Sequence, residues 1–516
     1  MASGRKSKIF AYADFDLQAL CHLASALRRG IPCTCDRDQF PDAGSYHWAI
    51  FISFADQVRW VFRSPLMKDS MPVETRAKII ASEVTTLRCV RTYSNIPVPD
   101  VYYHCVSSNN AIGVPFILMS EASGRPLSNL WRAPSSLDIR IKDKILHQLG
   151  RITWKLSQLR FDKIGSLFEE HGSFSVGECL SRSHMSHQRY QLDIRRGPFA
   201  SEAEFYDSVV EAFSQHAELL PLKTHCFMAP VPMRKDFNRG GQYRYAEKLW
   251  IDFMLNGKKI DSADNRLDYM IAADALRDIV PKLEFPSVIP TFPLFHPDLS
   301  VNNIFVDNDY NITCVIDWTF ASSVPESMLL AHPGLPQHRN ELDPELFAPF
   351  HSGFIATMPA ASIENTLIHR YLESFERSQD VWGLTRLLDM DLAQDYIVFA
   401  KLWESAYGSE KNLQRYFLQK RRSPHYTWLY RQVQKQDYPQ SKIQKEENDY
   451  FRDKVFRHTI ARKLTLVSEF KARYADNSEP RLRNNMFVTS PKLWRWIEFC
   501  LVGWVSSGIV DWMIMH

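Results

Sequence analysis

Apolar and polar positions along this chain follow two periods, and the switches between them predict its elements. Residues 14–29, DFDLQALCHLASALRR, carry apolar side chains at helical spacing, with Gly30 placed as a stop. Alternation then takes over in Trp48–Phe54 and Val58–Arg63, separated by the turn residues Ala55-Asp56-Gln57, which predicts a hairpin. In the second of these strands Arg59, Val61 and Arg63 share one face, and Trp60 and Phe62 the other. Residues 72–91 return to the helical period, with Pro72 at the start and Ile79, Ile80, Glu83, Val84 and Leu87 on or near one face. Strands are predicted at Val101–Cys105 and within 114–127, the latter running out into a polar linker. A long helical pattern covers 135–161, through Ile145, Leu146, Leu149, Ile152 and Leu156, and shorter ones cover 201–219 and 266–284. Two short apolar runs, Ile304–Asp307 and Ile312–Ile316, flank Asn308-Asp309-Tyr310-Asn311 and predict a second hairpin. From about residue 350 the pattern is helical to the end.

The second hairpin carries the candidate chemistry. It is preceded by His296-x-Asp298-Leu299-x-x-x-Asn303 and followed directly by Asp317. A hairpin sets the residue before its first strand near the residue ending its second. Asn303 and Asp317 are therefore expected side by side, with Asp298 in the loop just upstream. Two carboxylates and an amide oxygen converging in this way suit phosphoryl transfer. Mg²⁺ takes hard oxygen ligands, commonly one or two carboxylates plus substrate phosphates, and Asn303 and Asp317 supply them. Asp298 is then left to orient a substrate hydroxyl and accept its proton.

This stretch, with Ile316-Asp317-Trp318 at its end, resembles the aminoglycoside phosphotransferase family, part of the protein-kinase-like group that includes choline kinases. The resemblance implies an α+β, two-lobed protein-kinase-like fold with an antiparallel N-lobe sheet, a helical C-lobe and a helical C-terminal extension. The expected divisions are 1–120 for the N-lobe, 121–345 for the C-lobe with catalytic loop and metal site, and 346–516 for the helical remainder. It further implies ATP and Mg²⁺ as cofactors, Asp298 and His296 in the catalytic loop (His296 bracing it), and Asn303 and Asp317 at the metal. Gly44 and Ser45, in the single-glycine loop before Trp48, would then lie over the phosphates. Arg63 stands where the template has its phosphate-pairing Lys, with Glu83 as its helix partner, and Glu74 is the rival partner a turn and more earlier. The run Leu118-Met119-Ser120-Glu121-Ala122-Ser123-Gly124 is very like the family's hinge, where backbone at Ser120 and Ala122 would meet the adenine edge. Ser300 occupies the place where protein kinases usually carry Lys, a departure that favours a small substrate. Leu402–Gly408 resembles a run common in fungal-type members. Arg63 in place of Lys keeps a second reading open, a nucleotide-binding scaffold without phosphotransfer.

Composition narrows the partners. With 62 Lys and Arg against 59 Asp and Glu, nothing global points to nucleic acid or an anionic membrane. The expected partner is a small molecule bearing a hydroxyl. The N-terminal residues lack an apolar core of signal-peptide length, and nine Cys are sparse for 516 residues. Reduced thiols and a cytoplasmic location are expected. Cys33-Thr34-Cys35 lacks the second Cys/His pair of a zinc site. The apolar stretch 499–510 is shorter than the ~20 residues that span a bilayer, so a buried terminal helix is expected there. Residues 410–463 hold 14 Lys and Arg against 6 Asp and Glu, the pattern of a solvated basic face. No G-x-x-x-x-G-K-[ST] or G-x-S-x-G occurs, which leaves P-loop and α/β-hydrolase chemistry unsupported. A metal hydrolase built on His296 and Asp298 is the remaining catalytic rival, short of further ligands at metal spacing.

Overall fold

The N-terminal sheet grows from the first predicted hairpin. In the computed structural model β3 (His47–Phe54) and β4 (Arg59–Pro65) pair antiparallel from His47↔Pro65 to Ser53↔Arg59. The structure describes residues 8–67, 71–131, 137–223, 225–227, 260–283, 290–359, 365–391 and 395–450. Around the hairpin lie β1 (Cys33–Thr34), β2 (Asp42–Ala43), β5 (Val101–Cys105) and β6 (Phe116–Ser120), in the order β1-β3-β4-β6-β5 with β2 on β3. All neighbours are antiparallel. Alternation divides the two faces of this sheet. Trp48, Ile50, Ile52, Trp60 and Phe62 are buried on one face, with Leu20 and Ala24 of helix α1 (Leu17–Leu27). On the other, Val61, Ile117 and Met119 pack with Ile80 and Val84 of helix α2 (Val73–Tyr93). Arg63 shares the face of Val61, so its side chain is directed to the α2 side.

The polar linker after β6 leads into β7 (Arg125–Pro126), which pairs with β12 (Ile304–Val306), itself paired with β13 (Ile312–Val315). Gly124 before β7 has φ +91°, and a Cβ there would lie 2.5 Å from the Val306 carbonyl, so only glycine fits. The β12–β13 turn is held by Asp307, whose carboxylate accepts from the Asp309 and Asn311 amides. Helix α4 (Ile139–Ser157) reinforces it: Gln148 donates to the Tyr310 carbonyl and accepts from the Ile312 amide, both at 2.9 Å. The apolar face of α4 (Ile145, Leu146, Leu149, Ile152) is buried with Leu294, Val301, Ile304, Val306, Val315 and Trp318, so the candidate hairpin sits on the core. The result is an α+β architecture, an antiparallel N-terminal sheet followed through the polar linker by a largely helical part.

Helix α4 also meets the helix Phe347–Ile355 at unusually short range. A Cβ on Gly150 would stand 2.0 Å from the Phe350 carbonyl oxygen, and one on Gly353 would stand 1.9 Å from that of His147. The two glycines let the backbones touch. Gly150→Ala is expected to lower stability by about 1–3 kcal/mol, the usual range for overpacking a core. Denaturant titration with an unchanged midpoint would contradict this.

The chain divides into two compact units, 1–208 with 285–382, and 209–284 with 383–516. Everything above lies in the first. In the second, the basic helices expected as solvated faces turn part of their charge inward. Arg421 reaches Asp264 and, at 2.5 Å, Asp268 of the helix Ala263–Ile279, and Lys420 reaches Asp274 at 2.5 Å. Among the described residues no helix is long and apolar enough to cross a membrane. The expected terminal helix at 499–510 lies outside the described residues.

Candidate active site

The His296–Asn303 loop follows β11 (Phe292–Phe295), whose Leu294 is fully buried. His296 is buried, and its ring packs edge-on against Trp318 at 4.6 Å. Its Nδ1 accepts from the Asp298 amide at 3.0 Å, which leaves Nε2 to donate to the Ile316 carbonyl at 3.0 Å. Both imidazole nitrogens are thereby spent on backbone, in the neutral form. Burial is the main cause that lowers its pKa, in keeping with that tautomer. Asn303 closes the loop from the other side, its amide nitrogen donating to the Asp298 carbonyl at 3.0 Å. The Ile316 amide donates to the Asn303 carbonyl at 2.9 Å, so the ladder places Asn303 opposite Ile316, with Asp317 directly following.

Asp298 is thus fixed at both its amide and its carbonyl, while its carboxylate Oδ1 is buried with no hydrogen-bond partner. The His338 imidazole Nδ1 lies 3.6 Å from that oxygen, an ion pair when the ring is protonated. The loop around residue 338 therefore places a side chain at Asp298.

Asp317 has φ +62°, a left-handed conformation uncommon for a non-glycine residue, and Phe320 shares it at +68°. The Asp317 Oδ1 accepts from Arg63 at 2.5 Å and lies 2.8 Å from the Thr319 hydroxyl. Arg63 also forms an ion pair with Glu83, whose side chain is only 1% exposed. The Thr319 oxygen is 2.9 Å from Glu83 Oε2 and 3.1 Å from Arg63 Nη2, and Arg63 Nη2 donates to His47 Nδ1 at 3.1 Å. One guanidinium thus joins two carboxylates, a hydroxyl and an imidazole from β3, β4, α2 and the segment after β13. Burial works against charge on Asp317, but the Arg63 guanidinium beside it, helped by the Thr319 hydroxyl, holds the carboxyl well below its usual range. Burial instead pushes Glu83 upward, partly offset by Arg63. His47 falls to about 3 through burial and the adjacent guanidinium, so it accepts from Arg63 as a neutral ring. Neither His47 nor Thr319 was singled out by the sequence reading. Thr319 lies two residues after Asp317, a spacing that carries no motif, and His47 reads as the last residue of the loop before a strand.

The loop over this cluster is a tight turn, with the Gly44 amide donating to the His47 carbonyl at 2.9 Å. A Cβ on Gly44 would have room, at 4.0 Å from the nearest atom, and Ser45 is exposed. The neighbouring Tyr46 reaches across to the C-lobe. Its hydroxyl is 3.1 Å from Ser186 Oγ, and its ring packs edge-on to Phe320 at 4.8 Å. Tyr46, His47, Arg76, Ile79, Thr319 and Phe320 line a cleft beneath it. At the linker, the Ser120 amide donates to the Asp100 carbonyl and its hydroxyl accepts from the Asp100 amide, both at 2.9 Å. Ala122 lies two residues further on, between the strand and Gly124.

The shelf bearing Ser186 is braced by His184, fully buried, with Nδ1 2.8 Å from Ser181 Oγ and Nε2 3.0 Å from Ser208 Oγ. Burial, then the Arg196 and Arg189 charges, lowers its pKa to about 3. The unfolded chain, titrating near pH 6.5, binds the extra proton between these values. This contribution to stability is therefore complete above pH 6.5 and lost as pH falls toward 3. Replacing His184 by Gln should make the stability–pH slope between pH 6 and 4 shallower by about 1.4 kcal/mol per unit. Parallel slopes for the two proteins would refute it.

Among the described residues no group of three or more His, Cys, Asp or Glu is arranged to hold a metal ion. The smaller donor set of Asp317 and Asn303 still suits Mg²⁺, which draws its remaining ligands from water and substrate phosphate. The Asp317 side chain is 42% exposed, and the Asn303 amide nitrogen is spent on Asp298, leaving the amide oxygen as the donor.

No family model matches the chain. A subtelomeric hrmA-associated cluster protein of Aspergillus fumigatus is 23% identical over 285 residues, 52% of this chain and 55% of that protein. Altered inheritance of mitochondria protein 9 of Candida albicans, named as mitochondrial, is 31% identical over 130 residues, 24% of this chain and 20% of that protein. Among solved structures, a Thermobifida fusca protein assigned as a fructosamine-3-kinase has a TM-score of 0.37 at 13% identity, covering 78% of this chain and all of that one. An ethanolamine kinase of Plasmodium vivax has a TM-score of 0.36 at 10% identity, covering 80% and 89%. TM-scores this low carry no weight for function. The chain spans about half the length of the Aspergillus relatives it matches.

Proposed function

We propose that this protein is an ATP-dependent phosphotransferase acting on a hydroxyl of a small molecule. The observation that carries the reading is Asp298: a carboxylate fixed through its own backbone, with one oxygen buried and left without a hydrogen bond. Such a group accepts the proton of an incoming hydroxyl, the general-base role in phosphoryl transfer. Asn303 holds the loop in shape and offers its amide oxygen with Asp317 to Mg²⁺. Bound there, the ion would neutralise phosphate charge. Arg63, locked by Glu83, places a fixed positive charge at the Asp317 end of the site, and Tyr46 covers it from the N-lobe. The Ser120 carbonyl and Ala122 backbone would hold the adenine.

A second reading, a nucleotide-binding scaffold, has its own observation: Arg63 already occupies an oxygen of the carboxylate assigned to the metal. The two part on one experiment. The full chain is incubated with γ-labelled ATP and Mg²⁺ across a panel of amino alcohols, polyols, sugars and glycated amines. The enzyme reading expects label transferred to at least one acceptor, lost in Asp317→Ala along with much of the Mg²⁺-ATP affinity. ATP binding without transfer to any acceptor favours the scaffold.

A further inference from the structure

A segment outside the His296–Asn303 loop and its hairpin also reaches the candidate base. The loop 331–343 is pinned beside Asp298 at several points. Leu335 is buried in the same core cluster as Val301. The Pro336 carbonyl accepts from the Val301 amide at 3.2 Å, so the two loops are joined backbone to backbone. Gln337 and Asn340 close a turn on each other. The Asn340 side-chain oxygen accepts from the Gln337 amide at 3.1 Å, and the Asn340 amide donates to the Gln337 carbonyl at 2.8 Å. A Cβ on Gly334 would stand 2.2 Å from the His338 carbonyl oxygen, so only glycine lets the loop fold back this tightly. These contacts fix the backbone at His338, which lies inside the turn.

The His338 imidazole is directed at Asp298, with Nδ1 3.6 Å from Oδ1. That oxygen is buried and has no hydrogen bond. The 25% of the Asp298 side chain that is exposed therefore lies away from Oδ1, which leaves Oδ2 to meet an incoming hydroxyl. A carboxylate anchored only through its backbone still turns about its side-chain bonds. A donor on one of its oxygens fixes where the other points. Imidazole can be that donor, carrying N–H at Nδ1 as a cation or in one of its two neutral tautomers. The separation is about 0.7 Å longer than an ordinary N–H···O hydrogen bond. Hydrogen bonds of catalytic groups are often long in unliganded proteins and tighten when substrate arrives.

We propose that His338 is a positioning residue, whose Nδ1–H holds Oδ1 of the Asp298 carboxylate and so presents Oδ2 to the acceptor hydroxyl. On the phosphotransfer reading, on which this role rests, the hydroxyl proton passes to Oδ2 as the acceptor oxygen bonds to the γ-phosphorus. The bond from that phosphorus to the β–γ bridging oxygen breaks, and ADP leaves with the electron pair. His338 neither gains nor loses a proton in the step. It acts through Asp298 alone.

Steady-state kinetics of the full chain, with the best acceptor of the panel, tests this. His338→Phe keeps a ring and drops both nitrogens, and His338→Leu does the same with less bulk should the ring not fit. In either, kcat should fall about 10–100-fold, the usual effect of a misplaced reacting group. KM for ATP should stay within about twofold of wild type, because only the base is disturbed. His338→Asn, which puts an amide nitrogen where Nδ1 stood, should restore kcat to within about threefold of wild type. In the Asp298→Asn background, adding His338→Phe should cost less than about twofold more, since no base is left to orient. A wild type that transfers label to no acceptor removes the phosphotransfer reading and this role together. With an active wild type, four results would overturn the role of His338 and leave the phosphotransfer reading standing. These are an unchanged kcat in both His338→Phe and His338→Leu, a loss that falls on KM for ATP, a His338→Asn as slow as His338→Phe, or a full further loss on top of Asp298→Asn.

Discussion

Asp298→Asn should lower kcat for phosphotransfer by about 10²–10⁴-fold, the usual contribution of a positioned general base and equal to about 3–5 kcal/mol of barrier. The substitution keeps shape and removes only the proton acceptor. The backbone contacts that fix residue 298, from its amide to His296 and from Asn303 to its carbonyl, do not involve the side chain. Its buried Oδ1 has no hydrogen bond to lose. The loss should therefore fall on kcat alone, with KM for ATP within about twofold of wild type and the melting temperature unchanged or slightly raised. Steady-state kinetics with the best acceptor from the panel, alongside a melt, gives both numbers. Activity within tenfold of wild type would remove Asp298 from the role of base. A parallel loss of stability would assign it a structural one instead.

The second large effect is on stability. Arg63→Ala strips the partner from Glu83, a carboxylate 1% exposed, and should cost about 3–5 kcal/mol, the range for a buried ion pair broken from one side. Thr319 alone cannot replace the guanidinium, because one hydroxyl proton serves either Glu83 or Asp317. The deficit should have a distinctive pH dependence. Burial already raises the Glu83 pKa, and without Arg63 that effect is unopposed. A raised carboxyl pKa means the folded variant binds the proton first, so its deficit against wild type should shrink as pH falls below neutrality. Arg63→Met combined with Glu83→Leu should recover part of the loss, since the buried carboxylate goes with its partner and the Asp317 carboxylate that stays behind is 42% exposed. Denaturant titrations of the two singles and the double, at two pH values, complete the cycle. A cost below 1 kcal/mol for Arg63→Ala, or a double no better than the single, would show that the pair does not hold the N-lobe together.

These two residues were legible for different reasons. Asp298 stood out because its chemistry is local: loop, hairpin and terminal carboxylate lie within about two dozen residues, and the β12–β13 turn brings them together unaided. Arg63 and Glu83 come from separate elements, yet the two-residue period of β4 and the helical period of α2 gave each a face. An acid among apolar positions announces that it needs a partner. His47, Thr319 and His338 had no such announcement. Each is a common residue in a strand start or loop, and what gives it a task is the side chain it meets across the fold. Tyr46 is similar, its neighbours Ser186 and Phe320 lying 140 and 274 positions away in the chain.

From the order of side chains alone came the two hairpins and the helices near 17–27, 73–93 and 139–157, because each rests on a short-range period set by burying one face. The two-residue strands β1, β2 and β7 carry no period, and only the packed chain assigns them neighbours. Likewise the second unit is assembled from 209–284 and 383–516, stretches far apart along the chain, and Arg421 and Lys420 turned from a basic surface into partners for Asp264, Asp268 and Asp274. Local periodicity decides what an element is. Which charge ends up beside which is decided by desolvation and Coulomb attraction between groups that the sequence leaves unconnected.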